Sequence, residues 1–167
     1  MLRNIHQDSL LNAFFLSILA TAGLFYVNLG GSFLSAFVDG LSIERDAAGF
    51  IVSANKYGAA FGGLLAAIFI KKLIWRKSAY ILLFILISID IISSQIPNAN
   101  LLIFISFLHV TIGFFLVGIV LSVIARTSFP DRVFGMLMVV QYSFGSIGIF
   151  TVPRLVDAFG YLSLIHI

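Results

Sequence analysis

Leu101–Ala125 reads LLIFISFLHVTIGFFLVGIVLSVIA, a run without a single aspartate, glutamate, lysine or arginine. As a helix rising 1.5 Å per residue it would reach about 37 Å, enough to cross a hydrocarbon core of about 30 Å. A lone strand there would leave backbone N–H and C=O groups unpaired in lipid, so a helix is the form such a run takes. Outward from it, Leu11–Val38, Ala47–Ile70, Ser78–Ser94 and Val133–Val156 have the same character. The expected fold class is therefore all-α: a polytopic transmembrane helix bundle with about five spanning helices.

Composition agrees. Hydrophobic residues make up 60% of the 167 positions and charged residues only 10%. A soluble domain carries about 25% charge because its surface must face water. There is no cysteine, which excludes disulfides and thiolate metal sites. The first apolar run exceeds the 7–15 residues of a signal-peptide core, and no small-residue cleavage site follows promptly, so it is expected to remain in the mature chain.

The loops set an orientation. Arg3, Lys71, Lys72, Arg76, Lys77, Arg126 and Arg132 fall on one side, while Arg45 and Arg154 fall on the other. By the positive-inside bias, the first set is cytoplasmic and so is the N-terminus. The net charge of +3 is thus spent on topology and lipid headgroups; nothing resembles a nucleic-acid-binding face. The expected location is a cell membrane of the bacterial inner-membrane type, crossed several times. The turn between the third and fourth spans, Gln95–Asn100, carries Pro97 and two asparagines.

Several stretches resemble the major facilitator superfamily of transporters. Asp39-Gly-Leu-Ser-Ile-Glu-Arg-Asp-Ala-Ala-Gly49, leading into a Gly/Ala-rich helix, is similar to that family's first outer loop and second helix. The following loop, Lys71-Lys-Leu-Ile-Trp-Arg-Lys77, matches the family's basic loop at Lys72, Arg76 and Lys77. It departs from the motif at Lys71, where an acid is expected, and at Ile74, where a glycine is expected. His109-Val-Thr-Ile-Gly113 stands where the family often has an arginine four residues before a glycine. Ala125–Gly135 resembles the link between helices four and five, and Gly145-Ser-Ile-Gly148 with Val152-Pro153 resembles the fifth helix.

The resemblance implies a chain that is the N-terminal half of a twelve-helix carrier, with residues 1–161 as one transmembrane half and the remaining C-terminal half as its partner. Substrate would bind near the midplane between the halves. The sixth helix would begin just after Tyr161. The terminal Leu162–Ile167 instead resembles the translation of a sequencing adaptor, and is expected to be adaptor-derived or a truncated tail, so that His166 carries no functional weight.

Among candidate site residues Lys56 stands out, about 15 Å into its span by helical rise. A charge at that depth costs about 2.5–3.5 kcal/mol on insertion scales. It is either a cavity-facing cation that binds an anionic group or exchanges a proton, or a snorkelling or structurally paired lysine. His109 is an imidazole inside a span, the side-chain type that changes charge between pH 5 and 8; the family's arginine at that position is associated with proton coupling. The bland reading is a neutral histidine bonded to a neighbouring helix. Asp90 is a possible partner acid or simply reaches headgroup water. Thr21, Asn28, Ser32 and Ser35 share one helical face, which suits a water-filled cavity or ordinary interhelical hydrogen bonds, and Gln141 and Tyr142 are cavity candidates of the same kind. Gly58, Gly62, Gly113, Gly145, Gly148 and Pro153 are read as helix-packing positions, Ala59 and Gly63 form a second small face, and Gly30-Gly31 suits a bend.

These features favour secondary active transport of a small, unidentified solute by alternating access, with protons as a candidate coupling ion. The alternative is a noncatalytic membrane scaffold or channel subunit. No Gly-x-x-x-x-Gly-Lys phosphate cradle, Gly-x-Ser-x-Gly elbow or His-Glu-x-x-His pair occurs, so neither an enzyme nor a cofactor is expected. Because the chain lacks cysteine, topology is directly testable. A cysteine at Ser78 and one at Asn98 should label from opposite sides with an impermeant thiol reagent in intact cells; equal labelling would overturn the orientation.

Overall fold

The computed structural model describes residues 9–159 apart from Ser94, Ile96 and Pro97. Arg3, the turn proline Pro97 and the Leu162–Ile167 tail therefore lie outside the described residues. Within them the chain is all-helical: α1 Leu10–Asn28, α2 Gly30–Leu41, α3 Arg45–Phe69, α4 Trp75–Ser93, α5 Ala99–Ile124 and α6 Pro130–Phe159, with a short 3₁₀ turn, Ile70–Lys72, after α3. Four helical stretches are long and apolar enough to cross a membrane: Leu10–Asn28, Arg45–Lys72, Asn100–Ile124 and Pro130–Leu155. α4, at 19 residues as long as α1, carries Arg76, Lys77 and Asp90, and these three charges keep it out of that group. The expected third span is thus the weakest of the five on composition, and its charges sit at its two ends.

The run expected as one helix, Leu11–Val38, is two. Leu29 breaks it with φ −96° and ψ 12°, in the sparsely populated bridge region. The hydrogen bonds on either side hold: Leu29 N–H donates to the Phe25 carbonyl at 3.2 Å, and Phe33 N–H to Leu29 at 2.9 Å. Two successive glycines follow, and glycine stabilises a helix less than alanine does by about 1 kcal/mol. The weak point suspected at Gly30-Gly31 therefore shows itself one residue earlier. It also divides the expected polar stripe, leaving Thr21 and Asn28 on α1 and Ser32 and Ser35 on α2. The Thr21 hydroxyl spends its hydrogen on the Ser17 carbonyl at 2.7 Å.

Side chains cap two of the helix starts, those of α1 and α5. Ser9 accepts from Asn12 N–H at the head of α1, and Asn98 accepts from Asn100 and Leu101 N–H at the head of α5. α2 stops where Ser42 turns left-handed, φ 53°. α6 continues through Pro153, which lies exposed inside it.

α5 is the hub. A Cβ at Gly58 would meet the Phe107 carbonyl and one at Gly62 the Thr111 carbonyl, so α3 lies backbone-to-backbone along α5. Both contacts advance four residues together, which makes α3 and α5 parallel. On another side a Cβ at Gly113 would come within 2.9 Å of the Gly23 carbonyl oxygen, bringing α1 equally close. Gly148 of α6 closes on the Leu29 side chain, whereas Gly63, Gly135 and Gly145 have nothing within contact range of an added Cβ. The packing roles assigned to Gly58, Gly62, Gly113 and Gly148 have partners; the second small face through Gly63 has none among the described residues.

Two apolar clusters fill the bundle. One contains Leu82, Leu116, Val120, Ile124 and Leu137 toward the basic end. The other contains Leu29, Phe33, Phe37, Ile51, Leu102 and Val152 toward the opposite end. On α5 the buried polar residues Ser106, His109 and Thr111 lie between the two. Overpacking a tight contact costs about 1–3 kcal/mol. Gly62→Leu should therefore lower resistance to unfolding in detergent by at least that much, while Gly63→Leu, one residue away on an open face, should leave it nearly unchanged; equal effects would contradict the α3–α5 contact.

Candidate functional site

The site forms where α4 and α5 meet α1 and α2. His109 is 7% exposed on α5, and its Nε2 lies 3.0 Å from Oδ1 of Asp90 on α4. This is the one ion pair among the described residues, and geometry assigns a proton to Nε2, donated to the carboxylate. The other face of the pair is open: the Asp90 side chain is 40% exposed. Ser93, Ser106, Ile89, Ile105, Leu102 and Phe37 complete a shallow cleft around the two groups, with room for about one water molecule. A drug-sized ligand would need a pocket of roughly 300 Å³ or more, closed on most sides. A water or a proton suits this cleft; a bulky solute does not.

His109 Nδ1 is buried and has no hydrogen-bond partner among the described residues. Buried polar atoms are nearly always paired, so each exception asks for a reason. The hydroxyls nearby are not in that position: Thr111 donates to the Phe107 carbonyl at 2.7 Å, and Ser93 to the Asp90 carbonyl at 2.9 Å. Asn55 Oδ1 on α3, 2% exposed, is the second such atom.

Against the imidazole stands Tyr26 of α1, its ring centroid 4.5 Å away and tilted by 50°. Behind Tyr26 stacks Phe33 at 4.5 Å and 13°, and behind that Phe37 at 6.3 Å. This row of rings crosses the break at Leu29, joining α1 to α2. Sequence reasoning missed it. Tyr26, Phe33 and Phe37 are seven and four residues apart, the spacing of one helical face, but in a chain with 18 phenylalanines that signal has no contrast.

Lys56 is elsewhere. α3 divides into three sectors at 100° per residue. Ala48, Ile51, Asn55, Gly58, Gly62 and Ala66 are buried. Phe50, Tyr57, Phe61, Leu64 and Ile68 form an exposed bulky sector. Between these lies a third, also solvent-accessible, of Ser53, Lys56, Ala60, Gly63 and Ala67. Lys56 is thus near the middle of α3, on a sector with no large apolar side chain. It makes no ion pair among the described residues, and Asp90 and His109 are on other helices.

Asn28 and Gln141 meet across α1 and α6, where the Gln141 amide donates to Asn28 Oδ1 at a long 3.5 Å. Tyr142, the neighbouring candidate, is exposed. Lys72, Arg76 and Lys77 are exposed at the basic end, with the Arg76 guanidinium 5.1 Å over the Trp75 ring. No cluster of histidine and acidic side chains among the described residues suits a metal ion.

The two polar pairs differ in strength. Interhelical hydrogen bonds in membrane bundles average about 0.6 kcal/mol, and the long Asn28–Gln141 contact should fall below that in a double-mutant cycle on unfolding. The shorter, charged His109–Asp90 pair should give the larger coupling energy; the reverse order would contradict the geometry. No family model, curated protein or solved structure matches the chain, so what it does has to be argued from these residues themselves.

Proposed function

We propose that the chain forms one helical half of a major facilitator type secondary transporter, moving a small solute across a cell membrane by alternating access. The observation that carries this reading is the sector of α3 around Lys56. A lysine near mid-span facing lipid tails would cost about 2.5–3.5 kcal/mol. Its neighbours Ser53, Ala60, Gly63 and Ala67 are the small residues that line a helix contact or a water-filled passage. The bulky residues of the same helix, Phe50, Tyr57, Phe61, Leu64 and Ile68, occupy the adjoining sector, where chains pointing into lipid are expected. An accessible surface divided in this way supports a lipid side and a solute side on one helix.

On this reading Lys56 presents its ammonium to an anionic group of the solute as it passes, and no covalent step is involved. In water-poor surroundings such a charge interaction is far stronger than in bulk. The basic residues Lys71, Lys72, Arg76, Lys77, Arg126 and Arg132 all lie at one end of the bundle, which supports a cytoplasmic assignment for that end and for the N-terminus. The membrane partner there is lipid headgroups, with the bacterial inner membrane as the proposed setting. The other helical half is the proposed protein partner.

The test is transport by the complete protein reconstituted in vesicles. Saturable, gradient-dependent uptake is expected, and Lys56→Met should reduce it by about tenfold or more at matched protein density, the effect of losing at least 1.4 kcal/mol of interaction. Lys56→Arg should restore only part, since a planar guanidinium replaces a compact ammonium. Nonsaturating flux would favour a channel, no flux a scaffold, and wild-type uptake by Lys56→Met would remove Lys56 from the mechanism.

A further inference from the structure

Between the 3₁₀ turn that ends α3 and the start of α4 the chain reverses within two residues, Leu73 and Ile74. Leu73 N–H donates to the Ile70 carbonyl at 3.4 Å and Ser78 N–H to the Ile74 carbonyl at 3.0 Å, so the corner is tied on both sides. Leu73 and Trp75 pack inward against the cluster that contains Leu82 and Ile124. Ile74 between them turns outward and is 65% exposed. An outward isoleucine beside an anchored tryptophan suits a corner seated at the membrane–water boundary, where tryptophan is enriched.

Four cations surround this corner: Lys71, Lys72, Arg76 and Lys77, all exposed. No aspartate or glutamate occurs from Ala47 to Ile89, and none of the four makes an ion pair among the described residues. We infer that the corner is a binding site for one anionic phospholipid, with its phosphate on Arg76 and Lys77 and an acyl chain along the exposed face of α4.

The head of the site is held in place by the core. The Arg76 guanidinium lies 5.1 Å over the Trp75 ring, and Trp75 in turn rests on the inner cluster. Stacking on a ring face leaves the N–H donors at the guanidinium edge available. That planar edge matches two phosphate oxygens at once. Lys77 adds a compact ammonium next to it, and Lys71 and Lys72 raise the positive potential around both.

The tail has a surface of the right kind and length. Arg76, Tyr80 and Phe84 are four residues apart and Ile87 three further on, the spacing of one helical face. Tyr80, Phe84 and Ile87 are all exposed. From Arg76 to Ile87 the helix rises about 16 Å, and one leaflet supplies half of a hydrocarbon core of about 30 Å. A phosphate held at Arg76 therefore leaves its acyl chain beside these three side chains through the depth of that leaflet.

The head of α6 offers a comparison within the same molecule. Arg132 also lies over an aromatic ring, that of Phe129, at 4.9 Å. Its neighbour Asp131 supplies a carboxylate in the same turn, and the loop Arg126–Arg132 has no lysine. Similar ring geometry with far less net charge makes Arg132 the control for Arg76.

This site rests on the lipid headgroups proposed as the membrane partner of the basic end, and narrows them to one lipid class at one place. Trp75 is the only tryptophan in the chain, so its fluorescence reads this corner alone. The chain is reconstituted in phosphatidylcholine vesicles with a rising fraction of phosphatidylglycerol brominated on its acyl chains. Quenching should saturate at a small mole fraction, and inorganic phosphate should leave it unchanged. Brominated phosphatidylcholine should quench only in proportion to its share of the bilayer.

Arg76→Gln with Lys77→Gln should raise the half-quenching fraction by about tenfold or more, and Arg132→Gln should leave it nearly unchanged. Arg76→Lys, which keeps the charge and loses the fork, should fall between wild type and the double variant. The replaced side chains are exposed, so helix content should stay at the wild-type level. Equal quenching by the two brominated lipids, an unmoved half-quenching fraction in the double variant, or displacement by inorganic phosphate overturns the site. Quenching by neither lipid would overturn the membrane placement along with it, which tells the two failures apart.

Discussion

Everything in this bundle hangs on the backbone contacts of α5. Between helices in lipid there is little hydrophobic force, because a lipid tail is as apolar as leucine; close approach and interhelical polar contacts have to hold the bundle instead. Gly58 and Gly62 let α3 rest on the carbonyls of α5, and the Gly23–Gly113 contact does the same for α1. The depth of the polar site follows from the second contact. α1 and α5 run in opposite directions there, so Tyr26, three residues past Gly23, arrives beside His109, four residues before Gly113. A side chain at either glycine would separate the rings as well as the helices.

How much of this could be read beforehand depends on how local each signal is. Spanning helices are local: hydrophobicity over a stretch of the right length is enough, and four of the expected segments have it. The weakness near Gly30-Gly31 was also legible, but its expression at Leu29 depends on which carbonyls keep their donors. His109 and Asp90 each stood out as ionisable groups in apolar runs. That they touch depends on the register between α4 and α5, which no single segment contains. The face of Lys56 was hidden for a similar reason: its sector has meaning only once α5 has claimed the opposite side of α3.

Lys56 and His109 end up on different helices and face different surroundings. Lys56 lies on the open sector of α3, whereas His109 is buried on α5 against Asp90 and Tyr26.

The parallel course of α3 and α5 has an electrostatic side as well. Every peptide unit in a helix points its dipole along the axis, leaving partial positive charge at the N-terminus and partial negative charge at the C-terminus. Two helices in contact and running the same way add these fields across a low-dielectric slab instead of cancelling them. Their C-terminal ends both emerge at the basic end, with Lys71 and Lys72 directly after α3 and Arg126 just beyond α5. Those cations therefore sit where they neutralise helix ends, and charge-reversal there would lower helix stability.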